Sequence, residues 1–413
     1  MNLPLEFTEY TSRLFGAEHW ERFVQSFSCE TPVSVRLNPW KAAKNPFPQA
    51  ESVPWCQQGF WLKERPHFTS DPLFHAGVYY VQEAASLFLD YLLRQTVTAP
   101  VSALDLCAAP GGKSTLMRAA LPDGSVLVSN EIDRRRANIL LENVLKQGHP
   151  DVLVTHNAPK DFAKTNLLFD VILADVPCSG EGLFRREPAA VNEWSPQNVL
   201  FCAERQRQIL RDIWPCLKAG GLLIYSTCTF NTHENEENVR WIAEELGADI
   251  LSVPIVPDWQ ITGSLLTDYH QPVYRFIPGA TRSEGLFMAV LRKRGGKNTF
   301  AILPSSLRAQ LKKYPLIHLL SDGIARPETK GREQIPSAAQ ALSLSAQAAD
   351  FPRAELSLEE SLRYLHRESL VLPSGTPRGF VVVAYQGHPL GFVKNLGDRA
   401  NNLYPKPWAI RRL

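Results

Sequence analysis

The chain is predicted to be an α/β protein built on a doubly wound, mostly parallel sheet, and three observations carry that prediction. Between residues 81 and 291, short apolar runs alternate with stretches of helical periodicity, the pattern of strand–helix–strand crossovers. The run 171–174 (VILA) is continuously apolar and bounded by polar and turn residues, as expected of a strand covered on both faces. A turn with paired glycines, Gly111 and Gly112, joins the apolar run 101–106 to a helical stretch. Sheets of this kind receive their ligands at such turns.

Taken in order, residues 5–27 carry helical spacing (Phe7, Tyr10, Leu14, Phe15, Trp20, Phe23, Val24, Phe27), and 33–37 reads as a short strand. Residues 39–72, rich in proline and tryptophan, read as irregular chain wrapped on a neighbour. Helices are expected over 81–94, 113–121, 133–146, 196–217 and 234–246. Strands are expected over 101–106, 126–129, 152–155, 171–174, 222–225 and 286–291. The run 292–299 (RKRGGKNT) reads as a linker, and 326–350, rich in Ala, Ser and Gln, is weakly patterned. Residues 380–385 and 390–394 flank a Gln386-Gly387 turn and read as a hairpin in a small β-rich module. From 394 to 413 there are five basic residues against one acid, with Tyr404 and Trp408 among them. That suits a nucleic-acid surface or a solvated basic tail equally well.

Composition bounds the rest. The 413 residues suffice for two or three domains. With 44% hydrophobic and 21% charged residues the chain is ordinary globular protein, and a net charge of +2 announces no nucleic-acid partner. No apolar run approaches the ~18 residues of a membrane span, and the N-terminus lacks the pattern of an export signal. Seven cysteines, none spaced as C-x-x-C, point to free thiols in a reducing compartment without a structural zinc. A cytoplasmic location, no membrane and no metal are expected.

The turn 107–113 (CAAPGGK) admits two readings. A P-loop requires G-x-x-x-x-G-K-[ST]; Gly112, Lys113 and Ser114 match, but Cys107 stands where the first glycine belongs. A nucleoside-cofactor loop instead needs an acid at the end of the next strand for the ribose hydroxyls. Glu131 lies there, and the second reading is favoured.

Two further cysteines sit at strand ends. Cys178 follows Asp175 by three residues after the run 171–174, and Cys228 follows the run 222–225. A lone buried cysteine is ordinarily core packing, the reading taken for Cys29, Cys56, Cys202 and Cys216. Two on the carboxyl edge of neighbouring strands point to chemistry. A thiolate can add to the electron-poor ring carbon of a pyrimidine, making the adjacent carbon able to attack an activated methyl group. An acid such as Asp175 can stabilise charge at the ring nitrogen and exocyclic amine. A second thiol can help resolve the adduct. The residues alone leave the order of the two thiols open.

Residues 107–113, 175–182 (DVPCSGEG), Trp194 with Ser195 and Pro196, Gln206, and 225–228 (YSTC) followed by 234–238 (ENEEN) closely resemble the Sun/Fmu-type RNA cytosine-5 methyltransferases. Residues 385–391, Lys394 and 401–406 are similar to the PUA-like ending of the branch of that family called RsmF, which modifies small-subunit ribosomal RNA in bacteria. The resemblance implies a Rossmann-like, S-adenosylmethionine-dependent methyltransferase domain with an N-terminal α+β extension and a β-rich PUA-like C-terminal domain. It implies that Cys228 forms the covalent adduct with cytosine, that Cys178 assists release, and that Asp175 touches base and cofactor. Cys107, Ala108, Ala109, Pro110, Gly111, Gly112, Lys113 and Glu131 would hold S-adenosylmethionine, with Arg136 a further candidate. The family usually carries an acid where this chain has Ala158; either Asn157 or Asp161 supplies a replacement hydrogen bond or cofactor binding is weaker, and activity is expected to be retained. The expected division is an RNA-binding extension over 1–75, the methyltransferase over 76–295, a linker over 296–350 and the PUA-like domain over 351–413. Arg36 and the basic cluster 394–412, with Lys394, Arg399 and Lys406, are candidate phosphate contacts. The expected partner is RNA, naked or in the small subunit, and the protein a monomer. The alternatives are a P-loop NTPase and an inactive RNA-binding ribosome factor.

Overall fold

The computed structural model describes residues 3–295, 304–331, 333–345 and 348–411. Much of the expected linker 292–299, and Arg412 of the basic cluster, lie outside them. The chain opens with the helix Leu5–Ser26, bent where Gly16 takes a φ of 73°. Its buried Phe7, Phe15 and Phe23 pack on Phe184, Trp194 and Phe230, which belong to the loops after the strands that end at the site. An antiparallel sheet follows, with strands β1 (Val33–Leu37), β2 (Glu51–Ser52), β3 (Gly59–Leu62) and β4 (Tyr79–Val81) in the order β2-β3-β1-β4. The stretch 39–72, expected to be irregular, thus contributes two strands. They are too short to show alternation, and two of the stretch's three tryptophans are core: Trp55 and Trp61 are buried whereas Trp40 is exposed, and Trp55 Nε1 donates to the Ala84 carbonyl at 2.8 Å.

The central sheet contains β5 (Ser102–Asp105), β6 (Val126–Asn130), β7 (Val152–Thr155), β8 (Phe169–Asp175), β9 (Leu217–Thr227), β10 (Ala248–Leu251), β11 (Tyr274–Phe276), β12 (Leu286–Lys293) and β13 (Leu319–Ser321). Its order is β10-β12-β9-β8-β5-β6-β7-β13, with β11 pairing β12. Strands β5 to β9 run parallel, whereas β12 and β13 are antiparallel to their neighbours. Helices Gly112–Ala120, Arg134–Gln147, Pro196–Ile213 and Glu236–Glu245 are the main crossovers, and the helix Phe88–Thr96 leads from the first sheet into β5. Alternate residues of β8 enter different cores: Val171 and Leu173 face one, Ile172 and Ala174 the other. That accounts for the unbroken apolar run.

Two helix expectations are corrected. The stretch 81–94 is not one helix, because Val81 belongs to β4 and the helix begins at Phe88 after a short turn, Ala85–Leu87. The stretch 196–217 stops at Ile213, since Pro215 has no N–H with which to continue the ladder, and Leu217 opens β9.

The weakly patterned 326–350 contains a hairpin of β14 (Glu328–Lys330) and β15 (Glu333–Ile335), then the helix Ala338–Leu342. The C-terminal module holds β16 (Arg353–Glu355), β17 (Gly379–Tyr385), β18 (His388–Asn395) and β19 (Ala400–Asn402) in that order. The expected hairpin is β17–β18, its turn closed by Gln386 and Gly387 with φ of 49° and 77°. This module shares a core with the leading sheet, in which Val35, Leu37 and Tyr79 join Tyr364, Val381 and Tyr404. No helix among the described residues is long and apolar enough to cross a membrane.

Candidate active site

Strand order reverses between β5 and β8, since the chain proceeds from β5 to β6 and β7 on one side and from β8 to β9 on the other. Ligands of open α/β sheets bind in the crevice at this switch point. The turn Cys107 to Lys113 leaves β5 there. Ala108 N bonds the Asn130 carbonyl at 2.8 Å, Arg136 Nη2 donates to the Ala109 carbonyl at 2.9 Å and Asn143 Nδ2 to the Pro110 carbonyl at 2.8 Å. The helix Arg134–Gln147 therefore shapes the turn, and Arg136 touches the turn itself. Gly111 has a φ of 114°, which a side chain rarely adopts. A Cβ on Gly112 would lie 3.0 Å from Cε1 of Tyr80, so that glycine admits the leading sheet. Burial raises the Cys107 thiol, with Asp105 adding to it, which leaves it unreactive.

The residues fit a nucleoside cofactor. Glu131 is buried at the end of β6; its Oε1 accepts from Asp133 N at 3.0 Å, while Oε2 has no hydrogen-bond partner, Arg136 Nη1 being 3.4 Å away. An orphaned buried carboxylate oxygen asks for a donor, and ribose hydroxyls are donors. Asp105 Oδ1 is likewise unpartnered, and burial pushes that carboxyl up to about 7. Ser114 does not face the crevice: it is buried and its Oγ donates to Asp105 Oδ2 at 2.6 Å. The serine of a P-loop binds the metal; here it is occupied in the core.

Asp175 closes β8 beside this turn. Its Oδ2 accepts from Lys113 Nζ at 2.9 Å and its Oδ1 from Ser226 Oγ at 2.6 Å. Burial opposes the Lys113 charge, but Asp175 outweighs it and the lysine's pKa is raised. Cys178 and Cys228 follow from β8 and the adjacent β9, and their sulfurs lie 3.3 Å apart. The hydrogen bond with Cys228, then burial and then the Cys228 and Glu234 charges hold the Cys178 pKa well above its ordinary value. Both thiols are partly accessible, whereas Cys56, Cys202 and Cys216 are buried and Cys29 is exposed far along the chain.

Three expectations are revised. Arg36 is buried, with Nε on Gln82 Oε1 at 3.0 Å and Nη2 on Thr115 Oγ1 at 2.6 Å, so it ties the leading sheet to the helix Gly112–Ala120 and offers nothing to phosphate. Asn157 supplies no spare hydrogen bond: its Nδ2 donates to the Leu316 carbonyl at 2.8 Å and its Oδ1 accepts from His318 N at 2.9 Å. Asp161 Oδ2 accepts from Ala158 N at 3.1 Å and caps its own helix. Of the C-terminal basic residues, Lys394 pairs with Glu333 at 2.5 Å, while Arg399 and Lys406 are exposed. Sequence reading assigned no role to Gln206, Glu181, Glu234 or Asn235. All four are buried and hydrogen-bonded around the thiol loops; their only signal in the sequence was their place in the motifs that carry the family resemblance.

The strand order, the crevice and the orphaned acid together define a Rossmann-like methyltransferase. The chain belongs to the family of 16S rRNA methyltransferases RsmB/F, and within it to the RsmF branch. The family described as "16S rRNA methyltransferase RsmB/F" matches residues 96–292, "N-terminal domain of 16S rRNA methyltransferase RsmF" matches 3–84, and "Methyltransferase RsmF PUA domain" matches 351–410. Ribosomal RNA small subunit methyltransferase F of Aliivibrio fischeri strain MJ11 is 30% identical, over 92% of each chain. That of Pectobacterium atrosepticum is 34% identical over 71% of this chain and 63% of its own length, so the match spans less than two thirds of that relative. A methyltransferase homologue from Pyrococcus horikoshii superposes with a TM-score of 0.57 at 25% identity, covering 70% of this chain and all of that one. The structure titled NSun6 from the same organism gives 0.60 at 19% identity over 71% and 99% of the two chains.

Proposed function

We propose that the protein uses S-adenosylmethionine to methylate C5 of cytosine in small-subunit ribosomal RNA. The observation that carries the reading is the pair of thiols 3.3 Å apart beside Asp175. The RsmF relatives, named for small-subunit ribosomal RNA, and the PUA match support the substrate. We take 82–295, completed by β13 at the edge of the central sheet, as the methyltransferase part, with the leading region and 351–413 gripping RNA around it.

Glu131 and the turn 107–113 would hold the cofactor, which when bound supplies an electrophilic methyl group. Cys228 adds to C6 of the base, and C5 becomes nucleophilic. Asp175, which accepts a hydrogen bond from Lys113 Nζ, would face the ring nitrogen and amine, where a proton passed to the ring nitrogen through its carboxyl neutralises the negative charge that develops as Cys228 adds. Once C5 is methylated, its proton must leave before the Cys228 sulfur can depart. Cys178, as the thiolate, would take that proton while the C5–C6 double bond re-forms and the C6–S bond breaks to return Cys228 as a thiolate; its raised pKa makes the Cys178 thiolate a strong base for this step. The base must leave its stack to reach Cys228.

The test is transfer of labelled methyl groups to deproteinised and subunit-bound ribosomal RNA, with products hydrolysed to nucleosides. Label in 5-methylcytidine is expected with wild type, none with Cys228→Ala, and a gel-stable protein–RNA adduct with Cys178→Ala. The opposite pattern would exchange the thiols, and label in any other nucleoside would overturn the reading.

A further inference from the structure

The segment 234–238 touches the backbone around both thiols, and its first two side chains divide them. Glu234 is fully buried. Its Oε2 accepts from Ser179 N at 3.0 Å and from Gln206 Nε2 at 2.7 Å. Its Oε1 accepts from Ser179 Oγ, and from Asn231 Nδ2 at 2.8 Å. Gln206 Nε2 also donates to the Pro177 carbonyl at 2.9 Å. One carboxylate and its amide partner therefore hold the backbone on both sides of Cys178. Gln206 is itself fixed, its Oε1 accepting from Tyr225 Oη at 2.9 Å and from Asn238 Nδ2 at 2.8 Å.

Asn235 does the same for the other sulfur. Its Oδ1 accepts from Thr227 Oγ1 at 2.5 Å and its Nδ2 donates to the Thr229 carbonyl at 3.0 Å, the residues on either side of Cys228. The next residue, Glu236, anchors the frame through a buried ion pair with Arg275 and accepts from Leu265 N at 3.1 Å. Glu234, by contrast, has only neutral donors around it, and burial pushes its pKa up against them. Retaining a buried carboxylate without a cation costs stability, and an apolar residue there would be the cheaper way to fill a core.

We propose that Glu234 and Asn235 are positioning residues, each dedicated to one thiol: Glu234 sets Cys178 for release of the methylated base, and Asn235 sets Cys228 for attack. Adjacent in sequence, they reach the ends of two different strands and so fix the distance between the sulfurs. A shift of well under 1 Å in either loop misaligns a proton or an attack trajectory. The proposal rests on the dithiol reading above.

The experiment follows adduct formation and adduct release separately, on the full chain with ribosomal RNA, for Glu234→Gln, Asn235→Ala and the milder Ser179→Ala. S-adenosylmethionine binding and thermal melting are measured beside them to establish folding. Glu234→Gln is expected to accumulate the protein–RNA adduct as Cys178→Ala does, release slowing roughly tenfold with KM for RNA unchanged. Ser179→Ala should show the same signature more weakly. Asn235→Ala should instead slow adduct formation roughly tenfold and accumulate none. Equal loss of both steps in Glu234→Gln and Asn235→Ala, or no change in either, would overturn the proposal, as would an adduct in the Asn235 variant alone. Failure of Cys178→Ala itself to trap an adduct would defeat the underlying dithiol reading and this proposal with it. Trapping by Cys178→Ala but not by Glu234→Gln or Ser179→Ala would defeat this proposal alone.

Discussion

Arg36 lies in a strand of a part of the chain expected to grip RNA, yet its guanidinium is fully used inside the protein. Burial lowers its pKa to about 10, so it stays charged at neutral pH and must keep its partners. Arg36→Ala would leave Gln82 Oε1 and a cavity between sheet and helix, and should cost roughly 3 kcal/mol of stability. Denaturant unfolding would read that loss, while the salt dependence of RNA binding stays as in wild type; the reverse result would return Arg36 to the phosphate contacts. Arg399 and Lys406 are exposed and should behave oppositely. Replacing either with Ala should lower the slope of log affinity against log salt by about 0.7 to 0.9 without moving the melting temperature. An unchanged slope would remove that residue from the RNA surface.

Among the elements, the loops after β8 and β9 matter most, because they hold the two thiols of the proposed mechanism and are joined directly. Gly182 N donates to the Cys228 carbonyl at 2.9 Å. A Cβ at Gly182 would lie 3.0 Å from that carbonyl oxygen and 3.1 Å from the oxygen of Gly285. Both contacts are backbone, which cannot swing aside. Gly182→Ala should therefore move Cys228 and reduce methyl transfer by about 100-fold, the scale expected for misplacement by about an ångström, while the circular dichroism of the fold is preserved. Wild-type activity in this variant would show that the two loops can shift without loss. The same closeness explains why Phe184 and Phe230, on these loops, are clamped by Phe7 and Phe23 of the first helix.

Across the whole molecule, the leading sheet and the C-terminal module behave as one body because they share a core, and His75 sits at their junction. It is buried, with Nε2 2.9 Å from the Thr69 carbonyl and Nδ1 3.5 Å from Tyr404 Oη. Burial first, and the nearby Lys146 charge second, lower its pKa from 6.5 to about 4. The fold thus holds the neutral ring. Its stability is intact above pH 6.5 and falls as pH drops through about 4, by about 3 kcal/mol for this group. Denaturant unfolding between pH 7 and pH 4 should show a shallower decline in His75→Asn than in wild type. Equal slopes would show that the junction does not depend on the neutral imidazole. On the proposed function, the shared core would set the offset of the exposed Arg399 and Lys406 from the crevice, as two-point binding of RNA requires.

Strand–helix alternation, the unbroken apolar run of β8 and the glycine turn were sufficient to predict the parallel sheet from sequence, since period and turn chemistry are local properties. The placement of Asp175, Cys178 and Cys228 at or just past strand ends was legible for the same reason. What could not be read locally was decided by packing. Of the two short strands within 39–72, β3 found its partner in β1 and β2 in β3, and Val81 joined that sheet instead of a helix. Arg36 was basic in sequence but buried in space. Asn157 looked available until residues 316–318 came across the edge of the sheet to occupy it. The 3.3 Å between the sulfurs, and the Glu234 and Asn235 frame that sets it, join residues some 50 positions apart. Local pattern can place each thiol at the end of its own strand, but only the parallel pairing of β8 with β9 brings the two into contact.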